Sequence, residues 1–145
     1  MAAYGFTTEI RVRFAETDAQ GIAHHAAYLV WFELARVEYL AHHAGGYQAL
    51  RDQGIEALVT EAHVCYGVPA RFDDVVRISA RCLDVRGARF RYEYLLERDG
   101  DRIADGWTSH ACVDSRTLRP TRVPEWLRAA IATAEVKAEA KAAEA

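Results

Sequence analysis

The sequence predicts an α+β fold in which an antiparallel sheet packs against one long apolar helix. A strand with alternating side chains opens the chain, a helix-length apolar segment follows, and most of the remainder alternates strands with turn residues. Helix and strands are therefore segregated along the chain, which favours α+β over the regular alternation of parallel α/β sheets. We expect residues 1–145 to form a single domain, because this length is within the usual domain size.

The first predicted strand covers residues 7–14. Apolar residues occupy every second position from Ile10 to Phe14, as expected for a strand with one buried face. Residues 16–21 follow as a polar stretch whose Asp and Gly favour turns. This stretch is predicted to be a loop that leads into the helix.

The main predicted helix covers residues 26–43, and the pair Gly45 and Gly46 supplies its C-terminal stop. A helix of this length spans roughly 27 Å, enough to cross a small domain. Because apolar residues occur on nearly every side, we expect it to be buried on most of its circumference. These residues are Tyr28, Leu29, Trp31, Phe32, Leu34, Ala35, Val37, Tyr39 and Leu40.

Four further strands are predicted after a short helix at residues 47–53. They cover residues 57–66, 75–83, 89–96 and 103–113. The dipeptide Asp99-Gly100 favours a hairpin between the last two, so the series is antiparallel. A helix is predicted after Pro124, and we expect residues 137–145 to fray because they carry no large apolar side chain.

Composition and charge exclude several classes of function. The formal net charge is −3 and the pI is near 6.1, so the chain lacks the basic field of a nucleic-acid-binding protein. No apolar run reaches the roughly 18 residues of a membrane helix, and the N-terminus does not resemble a signal peptide. We therefore expect a cytoplasmic protein. Cys65, Cys82 and Cys112 form no C-x-x-C pair and are expected to be reduced thiols.

Two segments carry recognisable motifs. In residues 11–28, the pattern T-D-x-x-G is followed by His25, three residues before Tyr28 at the start of the helix. Residues 66–74 read Y-x-x-P-A-x-x-x-D between two predicted strands. Both segments closely resemble the 4-hydroxybenzoyl-CoA thioesterase-like family, which includes the small acyl-CoA thioesterases of the Tol–Pal operon. The similarity spans residues 8–123 and implies the hotdog fold, in which an antiparallel sheet wraps a central helix.

The resemblance implies roles for several residues. Asp18 corresponds to the family's catalytic carboxylate. The backbone N–H of the residue matching His25 polarises the thioester carbonyl in the family, and Tyr28 corresponds to a residue near the acyl pocket. Family members form dimers or tetramers with the active site between two protomers, so a homodimer or homotetramer is expected. Ala27 departs from the Asn or Ser of many relatives, which removes any contribution of a side chain at that position.

These residue types suit thioester hydrolysis. N–H groups at a helix N-terminus stabilise a developing oxyanion, so we place the substrate carbonyl at the N–H of His25. The carboxylate of Asp18 can attack the thioester carbon to form a mixed anhydride or can activate a water molecule, and the sequence leaves both routes open. Neither route requires a metal ion or an organic cofactor. Without the surrounding motif, a loop Asp such as Asp18 is more commonly a cap or turn residue.

The remaining candidate residues have competing structural roles. The side chain of His25 either assists as an acid or only packs, and Tyr28 is most simply a core aromatic. Arg86 and Arg89 flank a Gly in a predicted turn where family members carry basic residues, and the phosphates of coenzyme A require such cations. Solvated surface arginines are the alternative. Because His24 and His25 are adjacent and no acidic or Cys ligand lies at a usual spacing, we expect no metal site.

The predicted function is hydrolysis of a short-chain or aromatic acyl thioester of coenzyme A or of an acyl carrier protein. One alternative is a hotdog hydratase or dehydratase, but its D-x-x-x-x-H motif is not matched, because His24 and His25 follow Asp18 by six and seven residues. The other alternative is a non-catalytic acyl-CoA-binding module. Such a module would keep the helix N-terminus and the basic turn but would not need Asp18.

Overall fold

The computed structural model describes residues 3–144 and confirms the predicted order of elements. The strands of this part of the chain are β1 (Phe6–Arg11), β2 (Ile55–Tyr66), β3 (Val75–Arg86), β4 (Arg89–Arg98) and β5 (Asp101–Asp114). The α-helices are α1 (Ala27–Ala44), α2 (Tyr47–Arg51) and α3 (Glu125–Ala143). The strands form one antiparallel sheet in the order β1-β3-β4-β5-β2, which confirms the α+β prediction.

The core lies between α1 and the inner face of the sheet. Tyr94 of β4 stacks on Phe32 of α1 with ring centroids 4.1 Å apart. This close approach requires Gly106 in β5, because a Cβ there would lie 2.1 Å from the carbonyl oxygen of His63 and 2.9 Å from the Phe32 ring. The buried residues of β4 alternate along the strand, as its sequence pattern predicts. They are Phe90, Tyr92, Tyr94 and Leu96.

The prediction that α1 is buried on most of its circumference is wrong for a single chain. One face of the helix packs into the core, and its buried side chains include Trp31, Phe32 and Tyr39. The opposite face carries the exposed Glu33 and Glu38 together with apolar side chains that are 37% to 54% exposed. The sheet covers only one side of the helix, so the apolar sequence overestimates burial within one chain. The exposed apolar residues are Leu29, Val30, Leu34 and Val37.

The first strand is shorter than predicted. β1 ends at Arg11, and residues 14–16 form a single 3-10 turn instead of continuing the strand. The side chain of Phe14 is therefore 76% exposed rather than buried. A local contact favours the turn, because Oε1 of Glu16 accepts the backbone N–H of Arg13 at 2.8 Å.

β2 forms an open edge of the sheet. It pairs with β5 on one side, and no other strand of the described residues pairs with its second side. A bulge interrupts the pairing between Val59 and Glu61. Leu58 and Val59 are 43% and 47% exposed, so this unpaired strand also exposes apolar side chains. β2 also contacts α1, and Glu33 and Val37 of the exposed helix face line one cavity with Ala57 of β2, so the two features are neighbours.

Helix α3 packs against α1 and β3. It continues to Ala143, which differs from the predicted fraying of residues 137–145. Ala138 is buried against Gly5, where a Cβ would lie only 2.5 Å from the Cβ of Ala138. Small side chains thus allow close packing where the sequence offers no large apolar group. The final residue, Ala145, lies outside the described residues.

Candidate active site

The loop that follows β1 is held as a small hairpin around Asp18. The N–H of Asp18 donates to the carbonyl oxygen of Ile22 at 2.9 Å, and the N–H of His24 donates to the carbonyl oxygen of Glu16 at 2.7 Å. Oδ1 of Asp18 accepts the N–H of Gln20 at 2.8 Å. These bonds fix the orientation of the carboxylate. Its second oxygen, Oδ2, has no hydrogen-bond partner among the residues that the structure describes.

Asp18 borders a cavity of about 140 Å³, which we call the active-site cavity. The structure brings together here three of the predicted site residues, Asp18, His25 and Tyr28. A substrate atom in this cavity can therefore contact both the carboxylate and the start of α1. The cavity is also lined by Gln20, Ile22, Ala23, Tyr66, Gly67 and Pro69.

The backbone N–H of His25, at the start of α1, is available beside this cavity. Nδ1 of His24 accepts the N–H of Ala26 at 3.0 Å, and the carbonyl oxygen of His24 accepts the N–H of Ala27 at 2.9 Å. Within residues 3–144, the N–H of His25 has no hydrogen-bond partner. Since the N-terminus of a helix carries partial positive charge, this N–H is suited to bind an oxyanion. The role of the His25 imidazole stays a prediction.

The second motif holds the Asp18 loop in place. The N–H of Ala23 donates to the carbonyl oxygen of Ala70 at 2.8 Å, and Nη1 of Arg71 donates to the carbonyl oxygen of Gly21 at 3.2 Å. The N–H of Ala70 donates to the hydroxyl oxygen of Tyr28 at 3.3 Å. The Y-x-x-P-A segment therefore connects the loop to the first turn of α1, which explains why the two motifs occur together.

Tyr66 is a residue of the cavity that the predicted site omitted. Its hydroxyl donates to the carbonyl oxygen of His25 at 2.8 Å, and its ring contacts that of Tyr28 edge-on, with centroids 5.0 Å apart. Burial raises the pKa of both phenols, so both stay neutral at physiological pH. In the sequence, Tyr66 is the Tyr of the Y-x-x-P-A motif, which could have indicated its place in the site. Tyr66 holds the backbone at the start of α1.

Arg86 and Arg89 lie far from the active-site cavity within one chain. Arg89 pairs with Ala111 of β5, whereas Tyr66, which lines the cavity, pairs with Ala104. Seven residues of strand separate these positions, or roughly 24 Å. The structure does not bring the two predicted phosphate-binding residues together with Asp18 in a single protomer.

The two arginines border a separate cavity of about 470 Å³, which we call the arginine cavity. Arg91 adds a third guanidinium to its wall. Thr60 and Glu61 of β2 also line it, so this cavity lies beside the open edge of the sheet. The guanidinium groups of Arg86 and Arg89 suit phosphate binding, whereas that of Arg91 is paired with Asp84 and Glu93.

Residues 3–144 contain neither a cluster of metal ligands nor a helix that could span a membrane. No group of three or more His, Cys, Asp and Glu side chains in this part of the chain is arranged to hold a metal ion. The helices described here are also too short or too polar to cross a membrane.

Comparisons with known proteins identify the family. A sequence model of the thioesterase-like superfamily matches residues 12–131. The acyl-CoA thioesterase YbgC of Haemophilus influenzae is 33% identical over 127 residues, which cover 87% of this chain and 93% of that protein. The structure is similar to that of the DHNA-CoA thioesterase of Staphylococcus aureus, with a TM-score of 0.82, 29% identity and coverage of 95% and 93% of the two chains.

A third relative was solved with coenzyme A. It is a thioesterase of Thermus thermophilus in complex with coenzyme A and Zn, with a TM-score of 0.79, 25% identity and coverage of 94% of this chain and 98% of that one. Together these similarities confirm the predicted hotdog fold and the predicted class of activity, thioester hydrolysis. The chain therefore belongs to the thioesterase-like superfamily.

Proposed function

We propose that this protein hydrolyses acyl-CoA thioesters with Asp18 as its catalytic carboxylate. The observation that carries this proposal is the active-site cavity, which Asp18 shares with the N-terminus of α1. Oδ2 of Asp18 and the N–H of His25 have no protein partner within the described residues. A carboxylate and an oxyanion donor are the two groups that this hydrolysis needs.

In the proposed reaction, the thioester carbonyl oxygen accepts the N–H of His25. Oδ2 of Asp18 either attacks the carbonyl carbon, giving an acyl-enzyme anhydride that water hydrolyses, or takes a proton from a water molecule that attacks the carbon directly. In both routes the C–S bond breaks, coenzyme A leaves as a thiol after taking up a proton, and the acyl group leaves as a carboxylate. One such N–H donor contributes about 3–4 kcal/mol to stabilising the transition state.

The size of the active-site cavity favours a compact acyl group. With about 140 Å³, and with Tyr28 and Tyr66 on its wall, the cavity of one protomer has little room for a long aliphatic chain. We propose a short-chain or aromatic acyl group. The similarity to the DHNA-CoA thioesterase of Staphylococcus aureus supports the aromatic choice.

We also propose that two copies of the chain pair through β2 and the exposed face of α1. The exposed apolar side chains of α1 lie next to the unpaired edge of β2, and both features are unfavourable in water. A two-fold axis perpendicular to the sheet would pair β2 with its own copy in antiparallel orientation and keep both helices on one face. One dimer interface would then cover both features.

This pairing would bring the arginine cavity of one protomer towards the active site of the other. Within β2, Tyr66 marks the active-site end, whereas Leu58 lies at the level of the arginine cavity, since it pairs with Ala111 next to Arg89. Antiparallel pairing of two β2 strands sets these opposite ends side by side. Arg86 and Arg89 would then bind the phosphates of a coenzyme A whose thioester lies at the partner's active site.

Thiol release from a panel of acyl-CoAs tests the proposed function. We expect the wild-type protein to release thiol from acetyl-, butyryl- or benzoyl-type CoA esters faster than from palmitoyl-CoA, as followed with a chromogenic thiol reagent. Activity only on acyl carrier protein thioesters would show that the acyl group is carried by that protein rather than by coenzyme A. Hydration of an enoyl-CoA without thiol release would indicate a hydratase instead, and binding of acyl-CoA without any reaction would indicate a binding module.

Mixing two inactive variants is expected to restore activity if the arginines act across the dimer. One chain carries Asp18→Ala, and the other carries Arg86→Glu with Arg89→Glu. In the mixed dimer, one site combines the intact Asp18 of the second chain with the intact arginines of the first. Random exchange makes half of the dimers mixed, each with one intact site, so about a quarter of wild-type thiol release should return. If the arginines act within their own chain, mixing restores nothing.

A further inference from the structure

A second carboxylate, that of Glu16, joins the Asp18 loop to helix α1. Its side chain is only 10% exposed, and both of its oxygens accept N–H groups. Oε1 accepts the backbone N–H of Arg13 at 2.8 Å, and Oε2 accepts the indole N–H of Trp31 at 2.8 Å and an Nη2 hydrogen of Arg13 at 3.3 Å. Burial opposes ionisation, but the hydrogen bonds from Arg13 and Trp31 outweigh it and hold the pKa of Glu16 below its ordinary value.

The backbone of Glu16 forms the base of the hairpin loop. Its carbonyl oxygen accepts the N–H of His24 at 2.7 Å. Glu16 therefore lies two residues before Asp18 and directly opposite the residue that precedes His25. A shift of Glu16 relative to α1 would change the distance between the catalytic carboxylate and the oxyanion donor.

Trp31 fixes the other end of this connection. It lies in the second turn of α1, is 2% exposed, and contacts the Tyr28 ring with centroids 4.7 Å apart. Its indole N–H donates to Glu16, which favours this orientation of the ring. The helix and the loop are thereby joined by a partly buried hydrogen bond between side chains.

We propose that Glu16 is a positioning residue for thioester hydrolysis, because its bond to Trp31 sets the position of Asp18 relative to the N–H of His25. This inference rests on the proposed function of Asp18. A carboxylate accepts at both oxygens and satisfies every N–H donor at this position, whereas an amide would direct its NH₂ group at one of them. The site therefore requires Glu rather than Gln.

The variants Glu16→Gln and Trp31→Phe test this positioning. We expect Glu16→Gln to lower kcat by about 10- to 100-fold, since a small misplacement of reacting groups costs that much, with a far smaller change in KM. Trp31→Phe removes one donor without burying a mismatched amide, so its kcat should fall only several-fold. The double variant should be no worse than Glu16→Gln alone, because both changes break the same contact.

Loss of activity through unfolding must be distinguished from loss of activity through misplacement of Asp18. All assays are run below the lowest melting temperature of the variants and at equal oligomeric state by size-exclusion chromatography. Glu125→Gln is the matched control, because the Glu125 side chain on α3 is 86% exposed, and it should keep wild-type activity. A purely structural role for Glu16 predicts full kcat per folded molecule, so a kcat of Glu16→Gln equal to that of wild type would overturn the inference.

Two further outcomes keep the inference testable. If Glu16→Gln does not fold, an unchanged kcat in Trp31→Phe overturns the inference by itself. Asp18→Asn in the same assay distinguishes the two proposals. An active Asp18→Asn would mean that the proposed function of Asp18 has failed, whereas an inactive Asp18→Asn beside a fully active Glu16→Gln would reject only the role of Glu16.

Discussion

Replacing Asp18 by Asn is expected to lower kcat by about 10²- to 10⁴-fold, the range typical for loss of a catalytic acid or base. The amide oxygen of Asn can still accept the N–H of Gln20, which Oδ1 accepts at 2.8 Å, so the loop should keep its shape. The variant lacks the free carboxylate oxygen, and it can neither attack the thioester nor take a proton from water. Thiol release from the best substrate of the panel measures the effect.

The control for this change is Asp52→Asn. The carboxylate of Asp52 also accepts a hydrogen bond, from the side chain of Gln48 at 2.7 Å, but it follows α2 and does not border the active-site cavity. We expect this variant to match wild type. Asp18→Ala loses the bond to Gln20 as well, so its activity should be no higher than that of Asp18→Asn. Near-normal kcat in both Asp18 variants would show that another group performs the chemistry.

His110 is expected to make the protein lose stability steeply in acid. It is 1% exposed, its Nε2 is hydrogen-bonded to the Thr108 hydroxyl at 2.8 Å, and its ring stacks on Phe90 with centroids 5.1 Å apart. Burial and the nearby guanidinium of Arg36 lower the pKa of His110 to about 3. Its pKa in the unfolded chain is about 6.5, so the unfolded state takes up the proton first as the pH falls.

The sign and size of this effect follow from proton linkage. Because the pKa of His110 is lower in the folded state, its contribution to the free energy of unfolding is fully present above about pH 6.5. This contribution is lost as the pH falls towards about 3. The slope is about 1.4 kcal/mol per pH unit, so the free energy of unfolding should fall by about 2–3 kcal/mol between about pH 6.5 and 4.5. His110→Gln removes this titration and should show a correspondingly smaller loss.

Urea denaturation near pH 7 and near pH 4.5 measures the difference between wild type and His110→Gln. Both proteins are compared at one concentration, because the proposed dimerisation would make the apparent stability depend on concentration. The carboxylates and the other histidines are the same in both proteins, so their contributions cancel in the difference between the two pH dependences. Parallel losses in wild type and His110→Gln would show that His110 does not drive acid unfolding.

The order of the elements was predictable because its signals are local. The alternation in residues 89–96 and the dipeptide Asp99-Gly100 predicted the hairpin of β4 and β5, and paired glycines predicted the end of α1. The end of β1 was not predictable from alternation. Phe14 continues the period of two, but a side-chain bond within residues 13–16 makes a turn more favourable there.

Only those residues of the candidate site that belong to a sequence motif were predicted. The spacing of Asp18, His25 and Tyr28 placed them around one cavity, as the structure has them. The bond from Trp31 to Glu16 crosses from the loop to the helix over 15 residues, and no periodic pattern indicates it.

By itself, the sequence determined which segments are helix and strand, and which loop carries the proposed catalytic carboxylate. Those properties depend on hydrophobic periodicity, turn residues and motif spacing, all of which act between near neighbours in the chain. Only the tertiary structure decided that apolar side chains on one face of α1 are exposed, that Arg86 and Arg89 lie at the opposite end of the sheet from the active-site cavity, and that His110 is buried next to a cation. Burial and strand register arise from contacts between residues far apart in the chain, which local patterns do not encode.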